Sequence, residues 1–351
     1  MRIAVLLPNW IGDVVMATPA IRALRKLAGP EGKLIGLMRP YVAEVLEGNE
    51  WLDSQILYRK PTSKLRVAAS EVYQELRAAQ LDCVVLLTNS MRTAWIAWRS
   101  GAAERIGYAG EGRSWLLTKR LPPLRANADG SQVPTIDGYL RLAEAAGCDP
   151  EPPRLELATT PADERAADGV WQQLRLPAGN EVVILNTGGA YGAAKLWPAE
   201  YFAELAKRIV ADWNLSVLVN CGPAERVIAR DIVARAGSSR VASLANCEQL
   251  PIGLTKACIR RARMVVTTDS GPRFLAIAFG KPVVTLFGPT DPAATATHYE
   301  RETSLSLSLE CQPCMERVCP LVHHRCMRDL SVDRVHAAVA RSLDAAAEDA
   351  A

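Results

Sequence analysis

Two textures alternate along this chain. Apolar runs of four to six residues occur at Arg2–Leu7, Leu34–Met38 and Cys83–Leu87, and again at Val182–Leu185, Ser216–Asn220, Met264–Thr267 and Pro282–Phe287. Runs this short with little polar alternation predict strands buried on both faces. Between them the apolar positions take helical spacing. Val14, Ala17, Ile21, Leu24 and Ala28 mark a first helix, and Pro19 predicts that it kinks or starts late. Further amphipathic segments are Val67–Ala79, Thr135–Ala146, Tyr201–Asp212, Glu225–Ala236 and Phe274–Phe279. Strands alternating with helices imply an α/β chain with parallel sheets covered on both faces.

The series is interrupted once. Cys148 to Pro161 holds Pro150, Pro152, Pro153 and Pro161, a density that predicts a boundary. The expected organisation is two Rossmann-like, doubly wound domains facing a cleft, residues 1–160 and 161–330. Residues 331–351 add a C-terminal closing helix, Ala-rich and amphipathic from Asp333 to Ala347. Nothing approaches the roughly 18 apolar residues of a membrane-spanning helix. Ile3 to Leu7 stops at Pro8, too short for a secretory segment. The expectation is a soluble cytoplasmic protein.

Composition narrows the classes. With 49% hydrophobic and 23% charged residues, the 351-residue chain is not wholly disordered and can bury a core without disulfide staples. The net charge of +3 is uneven: 19 Lys/Arg face 15 Asp/Glu in residues 1–150, and 22 face 23 in the rest. That is too mild for a general nucleic-acid binder but suits an anionic substrate on the first half. Nine cysteines, an odd count, argue against a fully paired secreted framework. Cys83, Cys148, Cys221, Cys247 and Cys258 sit in apolar or near-strand settings and read as small hydrophobes.

Candidate chemistry sits just after strands, the edge where parallel sheets bind ligands. Pro8-Asn9-Trp10-Ile11-Gly12-Asp13 follows the first strand; Gly12 permits close ligand approach, and Asp13 is either a helix cap or a catalytic carboxylate. Asn186-Thr187-Gly188-Gly189 with Lys195-Leu196-Trp197-Pro198 suits a phosphate, or is only a glycine-rich turn. Thr267-Thr268-Asp269-Ser270-Gly271-Pro272 opens a helix whose first N–H groups can hold an anion, or simply caps it. Arg59, Lys60, Lys64 and Arg66 form a basic segment that holds carboxylates or phosphates, or is merely solvated. Cys311, Cys314, Cys319 and Cys326, with His323 and His324 between them, can close a zinc or iron–sulfur site, stay as thiols or form a disulfide.

Pro8–Asp13, Lys195–Pro198, Thr268–Pro272 and Pro282–Pro289, in this order over nearly the whole chain, resemble glycosyltransferase family nine, the heptosyltransferases of lipopolysaccharide core assembly, and within it the heptosyltransferase II type. The Cys-Gln-Pro-Cys and Cys319-Pro320 tail is similar to that of many members. The resemblance implies the GT-B fold, with an N-terminal acceptor domain and a C-terminal domain for ADP-heptose, and an inverting transfer to an anionic lipopolysaccharide core acceptor. It implies Asp13 as base. Thr187, Gly188, Lys195, Asp269, Ser270, Gly271 and Pro272 would hold the donor, with Lys195 on its diphosphate and Glu225 at its ribose. Asn9, Trp10 and Gly12, with the basic segment Arg59, Lys60, Lys64 and Arg66, would meet the acceptor. No cofactor is required for catalysis, a structural metal at the four cysteines stays open, and peripheral contact with the cytoplasmic face of the inner membrane is expected.

The family usually has a histidine where this chain has Phe274. Phenylalanine donates no hydrogen bond to a phosphate. Either the adjacent Arg273 compensates or donor affinity falls. The rival reading is a non-transferring nucleotide-sugar-binding protein or an epimerase on the same fold; a metal or redox module on the cysteine tail is a third.

Overall fold

The computed structural model describes residues 1–58, 66–124, 126, 132–188 and 191–348. The chain forms two compact units. The first comprises Met1–Ala158 with Ala293–His298, and the second Thr159–Pro292 with Tyr299–Ala351.

The first unit runs β1 (Arg2–Leu6), α1 (Ile11–Met16), α2 (Thr18–Ala28), β2 (Lys33–Met38), α3 (Pro40–Leu46), β3 (Ser54–Leu57), α4 (Arg66–Ala78), β4 (Cys83–Leu86), α5 (Met91–Arg99), β5 (Glu104–Tyr108), β6 (Lys119–Leu121) and α6 (Thr135–Ala145). Its six strands are parallel in the order β3-β2-β1-β4-β5-β6. The predicted first helix is two helices. Pro19, at the second position of α2, lacks an N–H, so the chain breaks at Ala17 and restarts. On one face of the sheet Ala4, Leu6, Val84 and Leu86 pack with Leu76 of α4 and Ile96 and Ala97 of α5.

The second unit runs α7 (Pro161–Leu174), β7 (Val182–Asn186), α8 (Ala199–Trp213), β8 (Ser216–Asn220), α9 (Arg226–Ala236), β9 (Val241–Ser243), α10 (Ile252–Arg261), β10 (Met264–Thr268), α11 (Gly271–Ala278), β11 (Val283–Leu286), β12 (Glu302–Leu305), α12 (Arg325–Arg328) and α13 (Val332–Glu348). Its sheet is again parallel, in the order β12-β11-β10-β7-β8-β9. Counted from each unit's own first strand, both sheets follow the doubly wound order 3-2-1-4-5-6. The order reverses between β1 and β4 in one unit and between β7 and β10 in the other.

The boundary differs in detail from the sequence expectation. The proline-rich stretch before Ala158 belongs to the first unit: Arg22 of α2 binds Glu151 at 2.6 Å and Glu156 at 3.1 Å, while Leu155 and Leu157 are buried. Residues 293–298, expected in the second domain, also belong to the first unit. Thr135 Oγ1 donates to Ala294 O at 2.9 Å, and His298 Nε2 lies 3.1 Å from Asp137 Oδ1. The last helix is part of the second unit: Arg208 of α8 binds Asp333 of α13.

α7 starts on a capping box: Thr160 Oγ1 accepts from Asp163 N, and Asp163 Oδ2 accepts from Thr160 N. Next to it, Glu164 joins α7 to α10 through Arg260 at 2.9 Å and Arg261 at 2.8 Å. Burial opposes the charge on Glu164, but hydrogen bonds from Arg260, Thr159 and Arg261 outweigh it and bring its pKa from 4.5 to about 2. The folded value is the lower one, so this stabilisation is complete above about 4.5 and is lost as pH falls toward about 2. Solvent reaches the partners, so the contribution is about 1–2 kcal/mol. Glu164→Gln should therefore lower the thermal midpoint at neutral pH and flatten its fall on acidification, as followed by circular dichroism at a series of pH values.

Candidate functional site

In the first unit the loop after β1 is held by a tyrosine of α3 and a tyrosine just after β3. Tyr41 Oη donates to the Asn9 carbonyl, and Tyr58 Oη donates to Asn9 Oδ1 at 3.4 Å. Trp10 occupies the cap position of α1 without a side-chain cap bond and is 45% exposed. Gly12 is buried, and Asp13 is half-buried at the third position of the helix. Asp13 is therefore not the N-cap, although its carboxylate still favours the positive helix end. Burial, and then the charge of Asp13, hold the Tyr139 hydroxyl well above the usual phenol range.

Across the switch point, the loop after β4 is fixed by Arg113. This guanidinium is fully buried and donates to Thr88 O, to Asn89 Oδ1 at 2.9 Å and to Tyr108 O at 2.8 Å. Tyr41, Tyr58 and Arg113 carry no motif in the sequence, and the fold alone reveals their part in shaping this edge. Of the basic segment, Arg59, Lys60 and Lys64 lie outside the described residues. Arg66 opens α4, but its side chain is not described.

The second unit solves the same problem with an asparagine. Asn186, at the end of β7 and 2% exposed, donates to Gly188 O at 3.1 Å, Thr267 Oγ1 at 3.1 Å and Ser270 Oγ at 3.0 Å. Its oxygen accepts from Asn220 Nδ2 at 2.8 Å. One amide thus ties together the strand ends of β7, β8 and β10. A polar residue closing an apolar run was the available signal for it. The Glu225 carboxylate accepts from Gly222 N at 2.7 Å and lies against Gly188, where an added Cβ would stand 1.8 Å from Glu225 Oε1. Gly188 must lack a side chain for Glu225 to reach the β7 loop. Thr187 Oγ1, beside it, is buried without a hydrogen-bond partner.

Lys195 and Asp269 meet in the same place. Lys195 Nζ donates to Asp269 Oδ2 at 2.7 Å and to Asp269 O at 2.8 Å, with the Tyr191 ring 4.5 Å away. Asp269 also accepts from Thr290 Oγ1 at 2.7 Å and from Arg273 at 3.2 Å. Burial works against ionisation of Asp269, but Lys195 and Arg273 prevail and hold its carboxyl below the ordinary value. Asp269 is thus not a helix cap. Ser270 takes that position in α11 with no side-chain cap bond, its hydroxyl turned to Asn186 and Thr268 O. Ser270 therefore does not cap the first turn at Gly271 with its side chain, and Pro272 brings no N–H of its own.

Arg273, beside the position of the family's histidine, is engaged with protein groups. It is 1% exposed, bidentate on Glu302 at 2.6 and 3.0 Å, and stacked between Phe274 and Phe287 at 4.8 and 4.9 Å. Phe274 is buried and serves as one wall of that stack.

The sequence profile of glycosyltransferase family 9 (heptosyltransferase) matches residues 70–324. The chain belongs to this family. The lipooligosaccharide heptosyltransferase 2 of Campylobacter jejuni is 27% identical over 340 residues, 95% of this chain and 96% of that protein. The lipopolysaccharide heptosyltransferase 2 of Escherichia coli K12 is 26% identical over 315 residues, 84% of this chain and 85% of that protein. Among solved structures, a family 9 glycosyltransferase from Veillonella parvula superposes with a TM-score of 0.83 at 23% identity, covering 97% of both chains. The Escherichia coli ADP-heptose lps heptosyltransferase II gives 0.77 at 22% identity, covering 98% of both chains. The fold is the GT-B fold of these structures, and the protein is a glycosyltransferase.

The cysteine segment of this family 9 enzyme packs beneath its Lys195 turn. Ala194 N donates to Arg317 O at 3.1 Å, and Gly192, at φ 157°, leaves no room for a Cβ against that same oxygen. Tyr191 Oη donates to Met315 O, and Gln312 Nε2 to Gly288 O at 2.6 Å. Cys311, Cys314, Cys319 and Cys326 line one small cavity with His323, and none of the four cysteines is disulfide-bonded. Burial, then the other three cysteines, push the Cys326 thiol up to about 11. Among the described residues no three or more His, Cys, Asp or Glu side chains are grouped so as to hold a metal ion.

Removing Lys195 has two separable effects. Lys195→Met should cost about 3 kcal/mol of stability, because the buried Asp269 loses a partner. It should also weaken ADP binding about ten-fold or more, through loss of a charge-assisted contact. Adding Asp269→Asn should restore much of the melting temperature without restoring ADP affinity. Calorimetric titration of both variants reads the difference, and unchanged ADP affinity in Lys195→Met would remove Lys195 from the nucleotide site.

Proposed function

We propose that this enzyme transfers a heptose from ADP-heptose to the inner core of a lipopolysaccharide, with inversion at the anomeric carbon. The observation that carries the reading is the convergence of Thr187, Gly188, Lys195, Glu225 and the uncapped start of α11 at one edge of the second sheet. That set offers a buried unpartnered hydroxyl, a carboxylate for a ribose diol, a cation and N–H groups for a diphosphate. The names of the relatives, heptosyltransferases of lipooligosaccharide and lipopolysaccharide, support the same donor and acceptor.

In this reading Asp13 takes the proton from an acceptor hydroxyl, and the oxygen forms its bond to the anomeric carbon. The bond from that carbon to the diphosphate oxygen breaks on the opposite side, and ADP leaves as an anion. Lys195 and the N-terminus of α11, with Asp269, Ser270, Gly271 and Pro272 shaping its turn, stabilise the charge that develops on the leaving group. The phosphates are held without a ring donor at position 274. No cofactor takes part, and the cysteine segment braces the donor loops. Asn9, Trp10 and Gly12 shape the acceptor side, and Arg59, Lys60, Lys64 and Arg66 attract its anionic groups. An acceptor anchored in lipid places the reaction at the cytoplasmic face of the inner membrane.

A donor screen tests the reading. ADP-heptose should be consumed with a core-sugar acceptor in preference to other nucleotide sugars. Binding without transfer, or interconversion without acceptor, would make the protein a binding relative or an epimerase. Asp13→Asn separates helix packing from chemistry, since asparagine fits the same place but takes no proton at neutral pH. The variant should fold, melt and bind ADP nearly as the parent does and turn over at least about a hundred-fold more slowly; transfer at close to the parental rate would exclude Asp13 as base. Lys64→Ala with Arg66→Ala should raise the acceptor KM and leave the donor KM nearly unchanged in initial-rate kinetics.

A further inference from the structure

α5 is built the wrong way round for a helix facing water. Its inner face, Thr93, Ala94, Ile96 and Ala97, is buried against the first sheet. Its outward positions are Met91, Trp95 and Trp98, at 39%, 41% and 42% exposure. They recur at helical spacing, and the two indoles touch with centroids 4.9 Å apart. A surface helix ordinarily turns charged residues outward. α5 contains no Asp or Glu at all, and its only charges are Arg92 and Arg99, half-buried at its two ends. Arg92 lies over Tyr58 and Arg99 over Tyr73. Trp115, in the short turn of helix Ser114–Leu116 packed beside α5, is 65% exposed.

We infer that this face docks on an anionic lipid surface. Tryptophan prefers the boundary between hydrocarbon and water, where its ring is buried and its N–H stays wet. Arginines at both ends of the stripe add attraction to acidic headgroups. The helix has only nine residues and its other face is committed to the core, so it lies on the surface and does not cross it. Its place in the fold gives the contact a purpose. Ser90, the cap of α5, follows β4 at the switch point, the same sheet edge that carries Asn9 and Asp13. A lipid-linked acceptor would reach that edge from the surface on which α5 rests. The inference in this form rests on the lipopolysaccharide reading above.

The test separates docking from chemistry. The full-length protein is floated with vesicles of phosphatidylethanolamine and phosphatidylglycerol, and with vesicles of phosphatidylcholine alone. The parent should rise with the anionic vesicles, its indole emission shifting to the blue, and bind phosphatidylcholine less. Trp95→Ser with Trp98→Ser should lower the bound fraction at least ~10-fold, since two indoles lose their lipid burial. It should keep the parental melting temperature and the parental turnover on a de-acylated, water-soluble acceptor. If that pair does not fold, Trp98→Gln carries the same comparison. A parent that stays in solution, or a variant that floats as the parent does, overturns the inference. So does a raised KM for the de-acylated acceptor with flotation intact, which would make the indoles a sugar platform. A dimer that the substitutions split, seen by light scattering, would give the face to a second copy and equally overturn it. Flotation reads no chemistry, so failure of the donor screen and failure of docking are told apart.

Discussion

A carboxylate buried out of reach of water sets the terms for the second unit. Ionised Asp269 is tolerated only because a lysine, an arginine and a threonine hydroxyl converge on it. Those partners come from three separate segments, and their own needs propagate outward. Arg273 requires Glu302 on β12, and Glu302 accepts in turn from Thr285 on β11 at 2.6 Å. Two positive and two negative groups thus form a neutral cluster. The loops at this edge cannot shift independently without exposing a charge to an apolar interior. In the proposed reaction Lys195 is already held in place by Asp269, so little reorganisation would be needed to stabilise a leaving anion.

The two units reach the same end by different polar residues. Both have the 3-2-1-4-5-6 order, and in both the candidate site lies where the order reverses. Loops at that point have no ladder partners of their own. In the first unit a buried arginine gathers the carbonyls of Thr88 and Tyr108; in the second a buried asparagine gathers Gly188, Thr267 and Ser270. Each hub satisfies groups that would otherwise be buried and unpaired. Rigid loops on a rigid sheet give the edge a fixed shape.

The strands at the centre of each sheet were legible because burial on both faces leaves an unbroken apolar run. Edge strands were not. Ser54–Leu57 and Lys119–Leu121 are short and largely exposed, so their pattern resembles loop. α5 escaped for the opposite reason: with tryptophans outside and alanines inside it shows no polar face for periodicity to find. The strand-end motifs marked Thr187, Gly188, Lys195 and the start of α11, which the fold brings to one edge of the second sheet. What spacing could not convey was commitment. Asp269 and Ser270 looked like caps and Arg273 like a spare cation, yet each is engaged with side chains distant in the chain. Asp13 looked like a cap and sits one turn further in. Long-range pairings such as Arg273 with Glu302 depend on which strand lies beside which, and no local window contains that.

The route of the backbone has a practical consequence. The chain leaves the first unit after Ala158, returns for Ala293–His298, and leaves again. The first unit is thus discontinuous, assembled from two stretches of sequence more than a hundred residues apart. A fragment ending at residue 158 would lack the carbonyl that Thr135 uses and the imidazole beside Asp137. Chimaeras that exchange one half for that of a relative at a single junction would inherit a mismatched six-residue patch. Three junctions, not one, are needed to exchange either unit of this enzyme cleanly.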